Sequence, residues 1–451
     1  MGFQQGLSGL NAASQQLDVI GNNISNANTV GFKQATAQFA DVYANSLTGG
    51  GSSNAVGIGV KVANVSQQFT QGNISNSNNP LDIAINGNGF FRMSTNGAIT
   101  YTRNGQFSLD KNGYITNAQG AQLTGYVANA NGVLATGSAA PLNINTSDIS
   151  PQQTTTVNAI MNLNSTDLVP GTQKPVATPP VVTPTAFNPT LSATYNETTS
   201  TTVYDSLGNS HIVQTYYVRI DPTATPPAVA GTTEWNVYAT VDGNLFDNTG
   251  ALTPAAGPAV PIGKLAFSNM GVLQGANPPF AATSPNALKM IVPVSSGALT
   301  PINTTADIKF DFTSTTQFGS LFGVSTMKQD GFASGKLTKF SASKDGTIVG
   351  TYTNGQTKVL GQVVLAGFTD PNGLQSLGDN QWSETSASGQ AMVAPPGSGS
   401  QGVLTSQATE DSNTDLTGQL VQMITAQRVY QANAQTIKTQ DQVLQTLVNL
   451  R

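Results

Sequence analysis

Few side chains in this chain could do acid–base or metal chemistry. One imidazole is present, His211, in "SLGNSHIVQ" beside a turn signal. There is no cysteine, which excludes disulfides, thiol chemistry and Cys-ligated zinc. The carboxylates nearest to pairing are the adjacent Glu410 and Asp411, and Asp205, Asp221, Asp242 and Asp247 in the centre of the chain. All lie near turns or helix starts, where Asp has an ordinary structural use. No HExxH, no GxxxxGK[ST] and no G-x-S-x-G elbow occurs, and "ASKDGTIVGTYTNG" lacks the ligand spacing of a calcium loop. The expectation is a protein that is not an enzyme and takes no cofactor or metal, with His211 exposed or satisfied in place.

Composition points the same way. Of 451 residues, 38% are hydrophobic and only 9% charged, against about 25% in an ordinary soluble domain. Asn, Gln, Ser, Thr and Gly fill the gap. Disordered chains of low hydrophobicity carry high net charge, and here it is only -5, so folded domains are expected. A surface so poor in charge repels its own copies weakly, which suits a subunit that polymerises. Eighteen Lys and Arg scattered among 23 acids give no basic stripe, so nucleic acid is not expected. The start "MGFQQGLSGLNAASQQLDVIG" lacks the basic and apolar regions of a signal peptide, and no apolar run of about 18 residues occurs. Export, if any, uses a route without a cleaved signal, and no membrane span is expected.

The elements follow from periodicity. Phe3, Leu7, Leu10, Ser14, Leu17, Gly21 and Ile24 alternate steps of four and three, the spacing of one helix face. This helix would span roughly 33 Å. Leu416, Leu420, Met423, Tyr430, Ala434, Ile437, Leu444 and Val448 repeat the pattern at the other end, with Val421, Ile424, Val429, Val443 and Leu447 widening the stripe. Asp415 or Asn413 can cap that second helix. Between them, residues 79–126 alternate β-branched and aromatic runs with Asn-Gly pairs at 86–87, 88–89, 96–97, 104–105 and 112–113, which predict type I′ hairpins. A similar texture returns at 340–373. Proline-rich "TQKPVATPPVVTPTAFNPT" marks an extended loop in the centre.

The resulting fold class is mainly β with α-helical termini. Its domains are nested and discontinuous: the N- and C-terminal helices pair as a coiled coil, and two β-rich domains stack outward. Residues 1–28 with 410–451 form the helical domain, 29–70 a linker, 71–145 with 327–409 an inner β domain and 146–326 an outer, inserted one. The wide stripes and missing surface charge predict that the helices bury their faces against other copies as well as each other.

"LSGLNAASQQLDVIGNNISNANTVGFK" and "TDLTGQLVQMITAQRVYQANAQTIKTQDQVLQTLVNL" resemble the terminal signatures of the bacterial flagellar rod and hook axial proteins. "ITYTRNGQFSLDKNGYITNAQGAQLTGY" matches that family's β motif, and "TVYDSLGNSH" looks like the central domain of its hook members. The resemblance implies a structural subunit, passed unfolded through the flagellar type III export apparatus to the outside of the cell. It implies a homopolymer, a curved flexible tube that joins rod to filament and transmits torque. Its implied partners are the rod, the hook cap and the hook–filament junction proteins. Helical termini would line the tube and β domains form its outer layers. The implied assembly residues are Leu7, Leu10, Leu17, Ile24, Leu416, Leu420, Met423, Tyr430, Ile437, Leu444 and Val448. Spirochaete relatives cross-link through a Cys that this chain lacks. A distal rod or hook-associated protein is the nearest rival, against which the long central insertion argues. A secreted β-rich adhesin is a remote one, which would want a signal peptide.

The family motif includes Asn22, Asn23, Asn26, Asn28, Gly31, Phe32 and Lys33. Asn tolerates left-handed backbone and forms Asx turns, so the four asparagines are expected to end the helix and turn the chain. Phe32 is then an apolar anchor and Lys33 a solvated charge.

Overall fold

The computed structural model describes residues 2–42, 57–171, 186–220, 232–246, 252–253, 259–277, 287–291 and 307–449. The proline-rich loop at 172–185, Asp221 and Asp247 lie outside them. The chain is mainly β with a helix near each end: α1, Gly2–Ser25, and α2, Leu416–Asn449. Two compact units result, Met1–Ser147 with Leu337–Arg451, and Asp148–Lys336.

In the first unit, α1 leads into a hairpin of β1 (Ala35–Val42) and β2 (Gly59–Gln67), paired antiparallel with a bulge at Gln38/Phe39. Residues 29–70, expected as a linker, are therefore partly a paired sheet. The sheet beyond interleaves early and late sequence. The meander Leu337–Ala342, Thr347–Tyr352, Thr357–Val363 continues into Gln122–Val127, Phe90–Thr95 and Ala98–Thr102. Ile83, Ile85, Phe91, Met93, Leu123, Val363 and Leu365 fill its core. A second cluster packs Phe90, Tyr101, Phe368 and Trp382 edge to face.

Of the five Asn-Gly pairs expected as type I′ turns, one has both residues left-handed. Asn96 and Gly97 stand at φ 51° and 91° between Phe90–Thr95 and Ala98–Thr102. At the other four the Asn keeps negative φ. Asn104-Gly105 is used differently: a Cβ on Gly105 would sit 1.7 Å from the Ile83 carbonyl, so the glycine is there for close approach.

The second unit packs two sheets over one core. Strand Thr156–Asn164 buries Val157, Ala159, Met161 and Leu163 and leaves Thr156, Asn158, Ile160 and Asn162 more exposed, the period of two expected of a half-buried strand. It pairs parallel with Asp307–Asp311 and Thr316–Phe318, and antiparallel with Gly323–Gln329. The facing sheet runs Glu197–Tyr204, Ser210–Arg219, Thr233–Val241 and Gly263–Phe267. Trp235, Val237, Leu265 and Phe267 meet Phe310 and Phe312 between them. Residues 327–336, assigned from sequence to the inner domain, pair inside this unit through Gly323–Gln329 and the bridges Gln152–Phe332 and Ile149–Gly335. Hairpin texture alone carries no signal for which half a boundary strand will join.

Candidate functional site

The terminal helices lie antiparallel. Gly6 faces Ile437, Gly9 faces Asn433, and Asn23 bonds Gln419, so positions rise on α1 as they fall on α2. The approach is close: a Cβ on Gly6 would come within 2.9 Å of the Ile437 side chain, and one on Gly9 within 2.8 Å of the Asn433 amide. The buried line on α1 is Gly6, Ala13, Ile20 and Asn23, with Gly9 and Gln16 half-buried on it. It runs one residue, about 100° around the helix, from the apolar stripe expected to pack.

That stripe is left largely open. Phe3 and Leu7 are exposed, Leu7 by 44%, and Leu10, Leu17 and Ile24 are half-buried. On α2 the buried residues are Gln419 and Ala426. Met423 and Ile437 are half-buried, while Leu416, Leu420, Tyr430, Leu444 and Val448 are exposed, Val448 by 73%. Val421, Ile424, Val429 and Val443 are exposed as well. Small side chains thus make the seam, because backbones approach only where no bulk intervenes. Apart from Ile20, buried within it, and Ile437, which packs on Gly6, the large aliphatic side chains are partly or largely exposed.

A second face of α1 rests on the hairpin. The Gln5 amide donates to the Gly57 carbonyl at 2.6 Å, and the Val60 N–H donates to Ser8 Oγ. Asp415 caps α2, accepting from Thr417 N–H. Asn413, the other candidate cap, instead accepts from Gln34 N–H and donates to the Gln68 carbonyl.

The asparagines of the motif divide their work. Asn22 lies inside α1, and its carbonyl accepts from both the backbone and side chain of Asn26. Asn26 closes the helix and carries the turn to Thr29. Asn23 is buried: its amide donates to the Ala35 carbonyl at 2.8 Å and to Gln419 at 3.2 Å, and its oxygen accepts from Ala35 N–H. One side chain so joins α1, β1 and α2. Asn28 is exposed. None of the four is left-handed; that conformation falls to Gly31, at φ 72°, whose N–H donates to the Glu410 carbonyl. A side chain there would strike the backbone of Arg103 and Asn104 at 2.7 Å.

Phe32 is half-buried, and Lys33, expected in solvent, is buried completely. Its Nζ meets Glu410 Oε1 at 2.6 Å and the Thr70 carbonyl at 2.7 Å. Arg103 meets Glu410 Oε2 at 2.9 Å, donates to the Gly87 carbonyl and lies 5.6 Å over the Phe90 ring. Gly72 N–H also donates to Glu410. Burial pushes the Lys33 amine below its ordinary range, against the pull of Glu410. Two buried cations therefore share one buried carboxylate. Three passes of the chain, distant in sequence, converge on it. Sequence reasoning treated Glu410 as a helix-start acid and did not single out Arg103. The available signal was scarcity: in a chain with so little charge, each Lys and Arg inside a motif is worth pairing.

In the second unit the structure brings His211 between two of the carboxylates noted from sequence. Nδ1 lies 2.7 Å from Asp242 Oδ2, and Nε2 lies 3.7 Å from Asp205 Oδ2. Burial raises both acids, but hydrogen bonds outweigh it and hold them below the usual carboxylate range. Asn209 and Leu207 supply these for Asp205, and His211 and Ile212 for Asp242. The ring thereby joins the turn at 205–209 to the turn at Asp242-Gly243. Among the described residues no group of three His, Asp or Glu is placed to hold a metal ion, and no helix is long and apolar enough to cross a membrane.

Residues 3–33 match the family described as flagella basal body rod protein, and 405–450 match the flagellar basal body rod FlgEFG protein C-terminal family. Residues 84–159 match the flagellar hook protein FlgE/F/G D1 domain, and 162–332 the flagellar basal body protein FlaE D2 domain. Flagellar hook protein FlgE of Salmonella typhimurium is 41% identical, with 100% of each chain covered. That of Escherichia coli is 40% identical, again over 100% of each. The Treponema pallidum protein is 30% identical over 99% of this chain and 98% of its own. The Helicobacter pylori flagellar hook protein FlgE2 crystal structure aligns with 73% of this chain and 98% of its own, at TM-score 0.48 and 14% identity.

Proposed function

This chain belongs to the flagellar hook protein family and is a structural subunit of the hook, and from that premise we propose how its surfaces assemble. The helices at the two ends pair in coiled-coil fashion through their small-residue seam. Their exposed and half-buried apolar side chains, Leu7, Leu10, Leu17, Ile24, Leu416, Leu420, Met423, Tyr430, Leu444 and Val448, pack on other copies and line a tube, while Ile437 packs on Gly6 within the pair. The β-rich units form its outer layers, with boundaries at 147/148 and 336/337 in place of those expected from sequence. The motif from Asn22 to Lys33 is the joint between the helices and the first β unit.

One observation supports this most directly. Most bulky apolar residues of the helix pair are exposed or half-buried, Ile20 excepted, while Gly6, Ala12, Ala13 and Ala426 are buried. A pair built for solitary life would do the reverse, because exposed aliphatic stripes of this size mark an interaction surface. The outer β surfaces, poor in charge, form polar contacts that exchange partners at small cost, whereas fixed ion pairs would lock geometry. A tube that bends as it turns needs that freedom, and so transmits torque from rod to filament. The rod, the hook cap and the junction proteins are its end partners. The chain reaches the outside through the type III export apparatus. It performs no catalysis.

The test is electron microscopy of polymer released from cells, with Leu7→Asp and Leu420→Asp beside the unaltered chain. Both positions are exposed, so the variants fold. Curved tubes from the unaltered chain and none from either variant support the reading. Normal tubes from both variants overturn the assignment of the helix faces.

A further inference from the structure

Eight Asn-Gly pairs occur in the chain, at 86–87, 88–89, 96–97, 104–105, 112–113, 131–132, 354–355 and 372–373. They serve turns and close approaches, but the dipeptide also carries a reaction of its own. The glycine backbone nitrogen can attack the side-chain carbonyl carbon of the asparagine, because glycine has no side chain to obstruct the approach. The attack needs a glycine N–H without another partner, an asparagine amide free to swing, and water at hand. The eight pairs differ sharply on these grounds.

In four of them the glycine N–H is held by a carbonyl of its own turn. Gly113 donates to Asp110 at 3.1 Å, Gly132 to Asn129 at 2.9 Å, Gly355 to Tyr352 at 3.0 Å and Gly373 to Asp370 at 3.1 Å. Gly87 N–H donates to Gln71 Oε1 at 3.0 Å. Gly89 and Gly105 are buried, and Asn104 Oδ1 is already taken by Gln106 N–H. Asn96-Gly97 is the exception. Thr95 and Ala98 pair across this turn, so its closing bonds use neither central residue. Among the described residues, neither the Asn96 side chain nor the Gly97 N–H has a hydrogen-bond partner. Both residues are exposed, and a Cβ on Gly97 would meet nothing within 4 Å. The backbone must rotate at Asn96 to bring the two atoms together, and exposed loop tips open at the least cost in a structure.

We propose that Asn96 is a site of spontaneous deamidation, with water as the co-reactant. Gly97 N forms a bond to Asn96 Cγ and gives up its proton. The Cγ–Nδ2 bond breaks, and the nitrogen leaves with that proton as ammonia. The cyclic imide so formed then adds water at one of its two carbonyls. Opening at one leaves aspartate at position 96 on an ordinary backbone. Opening at the other leaves isoaspartate, with the chain routed through the side-chain carbon. The balance is one water taken up and one ammonia released. Either product adds a negative charge to a chain whose net charge is only -5. Isoaspartate also lengthens the backbone of a two-residue loop, which the register of Thr95 with Ala98 does not accommodate.

The test uses the full-length dissociated chain, kept at mildly alkaline pH either folded in buffer or unfolded in guanidinium chloride. Peptide mass spectrometry follows conversion of amide to acid at all eight pairs. Unfolded, the eight are expected to convert at similar rates, since each asparagine is followed by glycine. Folded, Asn96 is expected to lead. Asn112, Asn131, Asn354 and Asn372 should lag it by about two- to tenfold, the rate factor equivalent to the one hydrogen bond each must first give up. Asn96 converting no faster than any of these four in the folded chain overturns the proposal. So does an Asn96 that stays intact in the folded chain while the unfolded chain converts.

Discussion

The buried charges at the joint make the sharpest prediction. Glu410 accepts from Lys33 at 2.6 Å, from Arg103 at 2.9 Å and from Gly72 N–H at 2.9 Å, all away from water. Glu410→Gln preserves shape but removes the one negative charge. Two cations are then left buried and uncompensated, and breaking a buried pair this way costs about 3–5 kcal/mol. Lys33→Met removes the opposite partner with a different result. Arg103 and Glu410 remain as a balanced pair, Gly72 still donates, and the apolar stem is replaced by one of similar volume. Exchanging a buried ion for a hydrophobe is nearly neutral in favourable cases, and the Thr70 carbonyl loses one donor, so a cost of about 0–2 kcal/mol is expected. The first unit has the size at which 1 kcal/mol moves a melting midpoint by about 2–4 °C. Glu410→Gln is therefore expected to lower it by roughly 6–20 °C and Lys33→Met by roughly 0–8 °C. Calorimetry of the dissociated chain reads the midpoint. Hydrogen exchange of Ile74–Asn76 and Ala408–Glu410, which pair beside the charges, assigns the loss to this unit. Equal losses in the two variants, or a larger one in Lys33→Met, would refute the charge argument.

The same site predicts a pH dependence of definite sign. Burial lowers the Lys33 amine in the folded chain, so the unfolded chain holds that proton more firmly. Stability should then rise with pH between the lowered value and the ordinary one near 10.5, and the difference between the unaltered chain and Lys33→Met in urea titrations should show it. Gly6→Leu drives a side chain into Ile437 and is expected to cost about 1–3 kcal/mol of helix pairing, seen as faster amide exchange along α1 and α2. Asn23→Ala leaves the Ala35 N–H and carbonyl without their partner; a loss of about 1–3 kcal/mol is expected, measured by urea denaturation and localised by exchange at β1.

Both helices were legible because periodicity and caps are local properties. Even so, the line drawn through Phe3, Leu7 and Leu10 marks the outward face. Apolar spacing says that a face is buried somewhere and not against what; the seam at Gly6 and Gly9 is written in the lack of side chains, which hydropathy does not register. Asparagine at 22–28 signalled a joint. Which asparagine would be buried depended on Ala35 and Gln419, the latter 396 residues away from Asn23. Lys33 read as solvated for the same reason: Glu410, its partner, is 377 residues distant, and nothing in either neighbourhood announces the other. The boundary at 336 was missed because residues 327–329 are claimed by Thr156–Asn164, a pairing fixed by tertiary packing.

The sharing of Glu410 by two cations also sets a clock. A ribosome makes Lys33 and Arg103 first and Glu410 only 377 and 307 residues after them. At about 5–20 residues per second that delay for Lys33 is roughly 20–75 s. Throughout it the two cations have no counter-ion to retreat with, so the joint cannot settle into its dry pocket. An incomplete chain thus stays pliable by construction, and the last tenth of its length decides when it sets.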